Sequence, residues 1–305
     1  MERYGSDKPD TRFGFELKNI SDIAKDSELT LFKESVKTGS VRALNAKGLA
    51  SMARKQIDKL GEFVKDYGAK GLAYMLFKED GLTSSVAKFF TEAQLEQIKI
   101  RLNVEKGDAV FIIADASDKT VFASLGALRI KLAKENNIIP ENVYNMLWIT
   151  EFPLLEYDAE EQRYSAVHHP FTSPMDEDVA LLDSNPLAVR AKAYDFVING
   201  EEAGGGSVRI HRADMQKKMF GLLGMSDEVI KAKFGYFVDA FRYGAPPHCG
   251  LAFGLDRLIM ILTKTDSIKD VIAFPKIQNA SCLMTDAPSE VEPKQLRELY
   301  LAIKD

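Results

Sequence analysis

Apolar residues between positions 51 and 134 recur with two periods, and the change of period marks out the elements. Ile57, Leu60 and Val64 fall on one stripe of a helix expected over Ser51–Tyr67, with Gly68 just past its end. Gly71–Phe77 reads as a strand, with Ser85–Phe90 as its expected partner. Thr91-Glu92-Ala93-Gln94 has the form of a capping box, opening a helix that runs through Leu95, Ile98 and Leu102. Ala109–Ala114 is a continuous apolar run, as a buried strand requires. Val121, Leu125, Leu128 and Leu132 keep helical register over Lys119–Lys134. This inventory suffices for a small α+β domain over residues 17–136. The preceding residues 1–16 are rich in charge, and Gly5 and Pro9 forbid a continuous helix. They are expected to enter a strand at Phe13–Phe15. Too short to fold alone, they must dock on something.

From residue 137 onward strands dominate again. Tyr144–Phe152 is apolar and aromatic, Asp158-Ala159-Glu160-Glu161 is a turn, and Arg163–Val167 returns as a hairpin. That hairpin delivers His168-His169-Pro170-Phe171-Thr172 at its end. Adjacent histidines on extended backbone point to opposite faces, so they do not readily share one metal. Asp214–Leu223 and Asp227–Phe241 are amphipathic helices closed by Gly224 and Gly244. Val271–Phe274 is expected as a last strand, and Pro293 opens a terminal helix. No strand leads through a glycine-rich turn into a helix in the dinucleotide-binding manner, so a doubly wound fold is disfavoured. The expected architecture is α+β: an antiparallel sheet flanked by helices over residues 137–305.

Residues 194–258 hold the densest chemistry. Tyr194–Ile198 is a compact strand ended by Asn199-Gly200; Glu201 and Glu202 follow, then Gly204, Gly205 and Gly206. Ser207-Val208-Arg209-Ile210-His211 alternates, placing Ser207, Arg209 and His211 on one face. Cys249–Phe253 is another short strand, and Gly254 hands it to a helix at Leu255–Leu262. Arg257 thus sits in a first helical turn, where backbone N–H groups and the dipole favour an anion. An acid, two arginines and glycines that admit close backbone approach suit carboxylates and phosphates, with a divalent metal. The competing reading is structural: the glycines as a bulge, and the strand-to-helix joint as tight packing.

Composition narrows this picture. The 305 residues are enough for two domains, and a net charge of −5 gives no global basic signature. The basic residues Arg54, Lys55, Lys59, Lys65 and Lys70 read as solvated helix surface rather than an RNA track. Cys249 and Cys282 form neither a metal knuckle nor a disulfide framework, which fits a reducing cytoplasmic setting. No apolar run reaches spanning length, so no membrane partner is expected. All four histidines, His168, His169, His211 and His248, lie in the second half.

Taken together, GGGSVRIH, HHPFTSP and GLAFGLDRL resemble bacterial-type aspartyl-tRNA synthetases of class II. RYGSDKPDTR and VIAFPK resemble the same family, and the likeness covers the whole chain. Gly250–Arg257 matches the third class II signature, and residues 17–136 resemble the GAD insertion of bacterial members. The catalytic domain would then be discontinuous, formed by 1–16 and 137–305. The resemblance implies ATP-dependent activation of L-aspartate to aspartyl-adenylate and transfer to tRNA(Asp), with tRNA(Asn) as an alternative acceptor. By resemblance, His168 and Arg209 contact the aspartate, Arg209 gripping its side-chain carboxylate. Glu202 serves ATP through Mg2+, and Gly254, Leu255, Asp256 and Arg257 line the ATP site, with Arg257 on the terminal phosphate. The first two class II signatures and the anticodon-binding domain are not in this sequence. The resemblance therefore implies a fragment, inactive in isolation, of an enzyme that is a homodimer when complete. Two other readings stand beside it: a non-catalytic RNA- or protein-binding fragment, favoured by tight tRNA binding through 17–136 alone, and an amidotransferase subunit, which GLAFGLDRL speaks against.

Overall fold

The computed structural model describes residues 1–304, and the chain divides into two compact units, Met1–Ala252 and Phe253–Asp305. The first unit opens with β1 (Leu17–Asn19), α1 (Ser21–Ala24), α2 (Thr30–Ser35), β2 (Ser40–Ala46), α3 (Arg54–Lys65), β3 (Ala73–Lys78), β4 (Gly81–Ser84), α4 (Glu92–Leu102), β5 (Ala109–Asp115) and α5 (Asp118–Glu135). The strands form one antiparallel sheet in the order β1-β2-β5-β3-β4. Helices cover both of its faces, so the central strands are buried on both sides and lose the polar alternation of a half-exposed sheet. Leu44, Phe111 and Ile113 pack on one side with Leu60 and Val64 of α3 and with Val121, Leu125 and Leu128 of α5. Val41, Met75 and Ile112 pack on the other with Ile23, Phe32 and Ile98. The expected capping box is present: Thr91 Oγ1 accepts from the Gln94 N–H at 3.3 Å, and Gln94 Oε1 accepts from the Thr91 N–H at 2.9 Å.

Two expectations fail in this half. Ser85–Phe90 is not a strand but a bend leading to one 3₁₀ turn, Ala87–Phe89; β3 pairs instead with the short Gly81–Ser84 run. Ser84 explains the switch, since its hydroxyl accepts from the N–H groups of Val86 and Ala87 and bends the chain out of the sheet. Phe13–Phe15 is not a strand either. Both rings are buried in the core beneath α5, and Phe15 holds a left-handed φ of 58°. The leading segment docks there through Arg129, 1% exposed, which donates to the carbonyls of Asp10 (2.5 Å), Phe13 (2.9 Å) and Gly14 (3.0 Å). Its guanidinium lies 4.1 Å from the centre of the Phe13 ring and 4.9 Å from that of Tyr4. Burial draws its pKa down to about 10, so it remains a cation at neutral pH.

The unit continues with β6 (Met146–Thr150), β7 (Leu155–Asp158), β8 (Arg163–Ala166), α6 (Leu181–Ser184), β9 (Ala193–Ile198), β10 (Glu201–Val208), α7 (Ala213–Leu222), α8 (Asp227–Ala240) and β11 (Cys249–Phe253). The predicted hairpin is β7 with β8, whereas β6 pairs with β9. The second sheet runs β11-β10-β9-β6. A small core of Leu154, Leu155, Val189, Ile210 and Met219 supports it, beside a cluster of Phe171, Phe220, Phe234 and Phe237 rings. The protein is thus α+β, with antiparallel sheets and flanking helices.

In the second unit, α9 (Leu255–Thr263) ends on Lys264 at φ 56°, and α10 (Pro293–Glu298) begins with its proline in the first turn. Val271–Phe274 forms turns and bends rather than the expected strand. Phe274 itself takes a positive φ of 55°, which breaks the extended run. Among the described residues no helix is long and apolar enough to cross a membrane.

Candidate active site

The site is built on the β9–β10 hairpin. Asn199 and Gly200 turn it with φ of 52° and 92°, the paired positive values that a tight two-residue hairpin needs. β10 is displaced from the expected strand at Ser207–His211: it spans Glu201–Val208 with the triple glycine inside it, and Arg209–His211 lie beyond its end. The pairing shifts by one residue between Glu202 and Gly204, leaving Ala203 as the extra residue of a β-bulge. Beyond the bulge Gly205 faces Asp195 and Gly206 faces Tyr194; before it Glu202 faces Val197. Cross-strand partners share a face, as do alternate residues of one strand, so Glu202, opposite Val197, lies on the same face as Asp195. The bulge takes up Ala203 and leaves Gly205 opposite Asp195, on the face of the two carboxylates.

The glycines are explained by what a side chain would meet. A Cβ on Gly205 would lie 2.6 Å from Asp195 Oδ1 and 3.4 Å from Glu202 Oε1, so the two acids close over that position. A Cβ on Gly206 would collide with the Gly250 carbonyl oxygen of β11 and come 2.8 Å from the Tyr194 ring. Lys8, from the leading segment, sets its ammonium 3.1 Å from Glu202 Oε2. Burial first, then the charge of Glu202, raises the pKa of Asp195; His168 and Lys8 act against that rise, and Asp7 adds to it.

Arg209 lies just past the end of β10 and bridges Thr172, its N–H donating to the His248 carbonyl at 3.0 Å. Its guanidinium turns to His169, contacting both ring nitrogens, with Nδ1 at 3.1 Å. Burial, then Arg209, then His168 lower the His169 pKa, so the ring is neutral at pH 7 and can accept from the guanidinium. His168 is exposed, its ring edge-on to Phe152 at 4.8 Å. Arg209 with His169, and Asp195 with Glu202 and Lys8, form the candidate site, with His168 acting electrostatically on both His169 and Asp195. Three residues singled out from the sequence, His168, Glu202 and Arg209, belong to it, but the imidazole that touches Arg209 is that of His169. Sequence reasoning missed Asp195, Lys8 and His169. Asp195 had a signal, as the one acid within the apolar run AYDFVI; Lys8 had none, because its partner lies far along the chain.

In the second unit, Gly254 caps α9 with extended backbone (φ −78°, ψ 104°) and no side-chain cap. Its carbonyl accepts from the Leu258 N–H at 3.0 Å, and the aliphatic stem of Arg257 packs 3.7 Å from the position a Gly254 Cβ would take. Leu255 and Asp256 are exposed and Arg257 is half-buried. The helix start thus combines backbone N–H groups with a guanidinium one turn along, an arrangement suited to phosphate.

Two carboxylates on one face make a reasonable seat for a hard divalent cation. No cluster of three or more His, Cys, Asp or Glu suited to a metal occurs among the described residues. The fit is therefore to an ion such as Mg2+, which uses one or two carboxylates and takes the rest of its shell from phosphate and water. Ser207, two positions along from Gly205, is 3% exposed and its hydroxyl has no partner among the described residues, leaving polar capacity on the same strand.

Residues 1–278 match the family model of the class II tRNA synthetases (D, K and N), and the chain belongs to that family. It is 58% identical over 304 residues to the aspartate–tRNA(Asp/Asn) ligase of Caldanaerobacter subterraneus subsp. tengcongensis, covering 99% of this chain and 51% of that one. It is 56% identical over 305 residues to the aspartate–tRNA ligase of Clostridium beijerinckii, again 99% and 51%. The chain spans about half the length of the curated relatives it matches.

Proposed function

We propose that this chain supplies part of an aspartate–tRNA ligase, which activates L-aspartate with ATP to aspartyl-adenylate and transfers it to the 3′ end of tRNA. The names of the relatives support aspartate as the amino acid, with tRNA(Asp), or tRNA(Asp) and tRNA(Asn), as acceptor. The observation that carries the reading is the acid pair Asp195/Glu202, closed over Gly205 on one face of the β9–β10 hairpin, together with the Arg209–His169 contact. Arg209 holds the substrate's side-chain carboxylate. Its planar fork matches a carboxylate bidentately, and in this state it rests on a neutral imidazole, a weaker partner than an anion. His168, exposed beside the acid pair, contacts the remainder of the aspartate. Glu202, with Asp195, orients the ATP phosphates through Mg2+; the start of α9, with Gly254, Leu255, Asp256 and Arg257, is by itself suited to a terminal phosphate. Mg2+, when bound, screens the charge on the phosphates.

The substrate's own α-carboxylate attacks the α-phosphorus of ATP, the α–β phosphoanhydride bond breaks and pyrophosphate leaves, so no side-chain nucleophile is called for. The residues position groups and neutralise charge, which is how phosphoryl and nucleotidyl transfers are largely catalysed. Residues 17–136 serve as a GAD-like insertion, residues 1–16 and 137–305 as catalytic-domain segments, and the complete enzyme works in the cytoplasm as a homodimer.

The test is aspartate-dependent ATP–pyrophosphate exchange in the full-length protein. Replacing Arg209 with Lys removes bidentate recognition, and kcat/KM for aspartate is expected to fall roughly 10- to 100-fold, from ~1.5–3 kcal/mol per charge-assisted bond. The preference for aspartate over asparagine should shrink with it. Unchanged exchange in Arg209→Lys would overturn the assignment.

A further inference from the structure

The leading segment brings a cation to the acid pair, and both sides of that cation are anchored. Before it, Gly5 lies against α5, with room for no side chain: a Cβ there would come 2.7 Å from the Gly126 nitrogen. After it, Asp10 gives its carbonyl to Arg129, and its Cβ lies 3.3 Å from the position a Cβ on Gly200 would take, at the tip of the β9–β10 hairpin. Between these anchors the backbone N–H of Lys8 donates to Ser6 Oγ at 3.0 Å. The backbone is fixed, and the four-carbon stem can swing. Its ammonium reaches Glu202 at 3.1 Å, with side chains 40% and 28% exposed. A pair this wet is weak and easily exchanged.

We infer that Lys8 is a positioning residue of the acid pair: an internal counter-ion that sits on Glu202 at rest and yields that carboxylate when a divalent cation enters. The inference rests on the proposed role of Asp195 and Glu202. Glu202 and Asp7 both act on Asp195, and Lys8, in contact with Glu202, is the ammonium that opposes them. Such a cation keeps the empty pair from repelling itself apart, at the cost of competing with the metal. Arg129, by holding residues 10–14, sets where that cation stands.

Mn2+ binding to the intact chain, followed by loss of the free-ion EPR signal without ATP, tests this. Lys8→Met removes the competitor, and Mn2+ is expected to bind about fivefold more tightly, equivalent to ~1 kcal/mol. Lys8→Arg, which keeps the charge, should bind no more tightly than wild type. In a Glu202→Gln background, Lys8→Met should change nothing. A structural defect would weaken binding, so tightening is a signature that misfolding cannot imitate. Mn2+ binding that is unchanged or weaker in Lys8→Met, with saturable binding by wild type, overturns the counter-ion role alone. Absence of saturable Mn2+ binding by wild type overturns the acid-pair reading and this inference with it.

Discussion

Gly5 and Gly126 meet backbone to backbone, with the Gly5 carbonyl carbon and Cα at 2.9 and 3.1 Å from where a Cβ on Gly126 would stand. Two effects compete at Gly126. Alanine is the better helix former by ~1 kcal/mol, while a methyl group here would push the leading segment off α5. The obstacle is backbone rather than a flexible side chain, so the clash should win. Gly126→Ala is expected to destabilise the protein by about 1–3 kcal/mol, read from urea unfolding. A gain in stability would mean that the contact is slack.

Arg129→Met keeps apolar bulk but removes the donor shared by the carbonyls of Asp10, Phe13 and Gly14. Hydrogen bonds to a charged group and the desolvation of acceptors left behind set the scale, about 2–4 kcal/mol of lost stability. Arg129→Lys keeps the charge but cannot reach all three carbonyls, and should fall in between. Limited proteolysis should cut first within residues 5–14 in the methionine variant.

Gly205 and Gly206 separate site from scaffold. A methyl at Gly205 meets the end of the Asp195 side chain, which can rotate away; Gly205→Ala should fold normally but lose Mn2+ affinity by roughly tenfold. A methyl at Gly206 meets the backbone of Gly250, so Gly206→Ala should cost about 1–3 kcal/mol of stability. Thermal unfolding and Mn2+ titration of the two variants should give opposite patterns.

Glu16 lies between Arg3 at 2.7 Å and Lys18 at 2.9 Å, and these bonds lower its pKa from 4.5 to about 2. A depressed carboxylate stabilises the fold above its unfolded pKa and loses that contribution as pH falls through the folded value. The stability gap between wild type and Glu16→Gln should therefore be full at pH 7, shrink between pH 4.5 and about 2, and vanish below. Both partners are partly exposed, so a gap of under about 1 kcal/mol is expected.

Much of the first sheet and its helices could be read directly. Thr91 and Gln94 announce a helix by local chemistry, and the 3.6 period of α5 is set by one buried face. Val271–Phe274 misled because an apolar run becomes a strand only beside a partner strand. The glycines of β10 were opaque for another reason: glycine carries no polarity to alternate, so the strand disappears where it matters most. The site followed the same rule. Glu202 and Arg209 sit in memorable strings, whereas Lys8 and Asp195 join them only after the hairpin has folded and the leading segment has docked.

The two-residue turn at Asn199-Gly200 also constrains how this stretch can drift over time. Most surface loops absorb the loss or gain of one amino acid, but one codon more or fewer between Asp195 and Glu202, with the two-residue turn kept, would send Glu202 to the far side of the sheet from Asp195. A compensating charge elsewhere on β10 could not repair that, because parity, not proximity, would be wrong. The interval between Asp195 and Glu202 should therefore be kept free of length change even where side chains vary, and when distant sequences are aligned, a gap placed between them is a sign that the alignment itself has slipped.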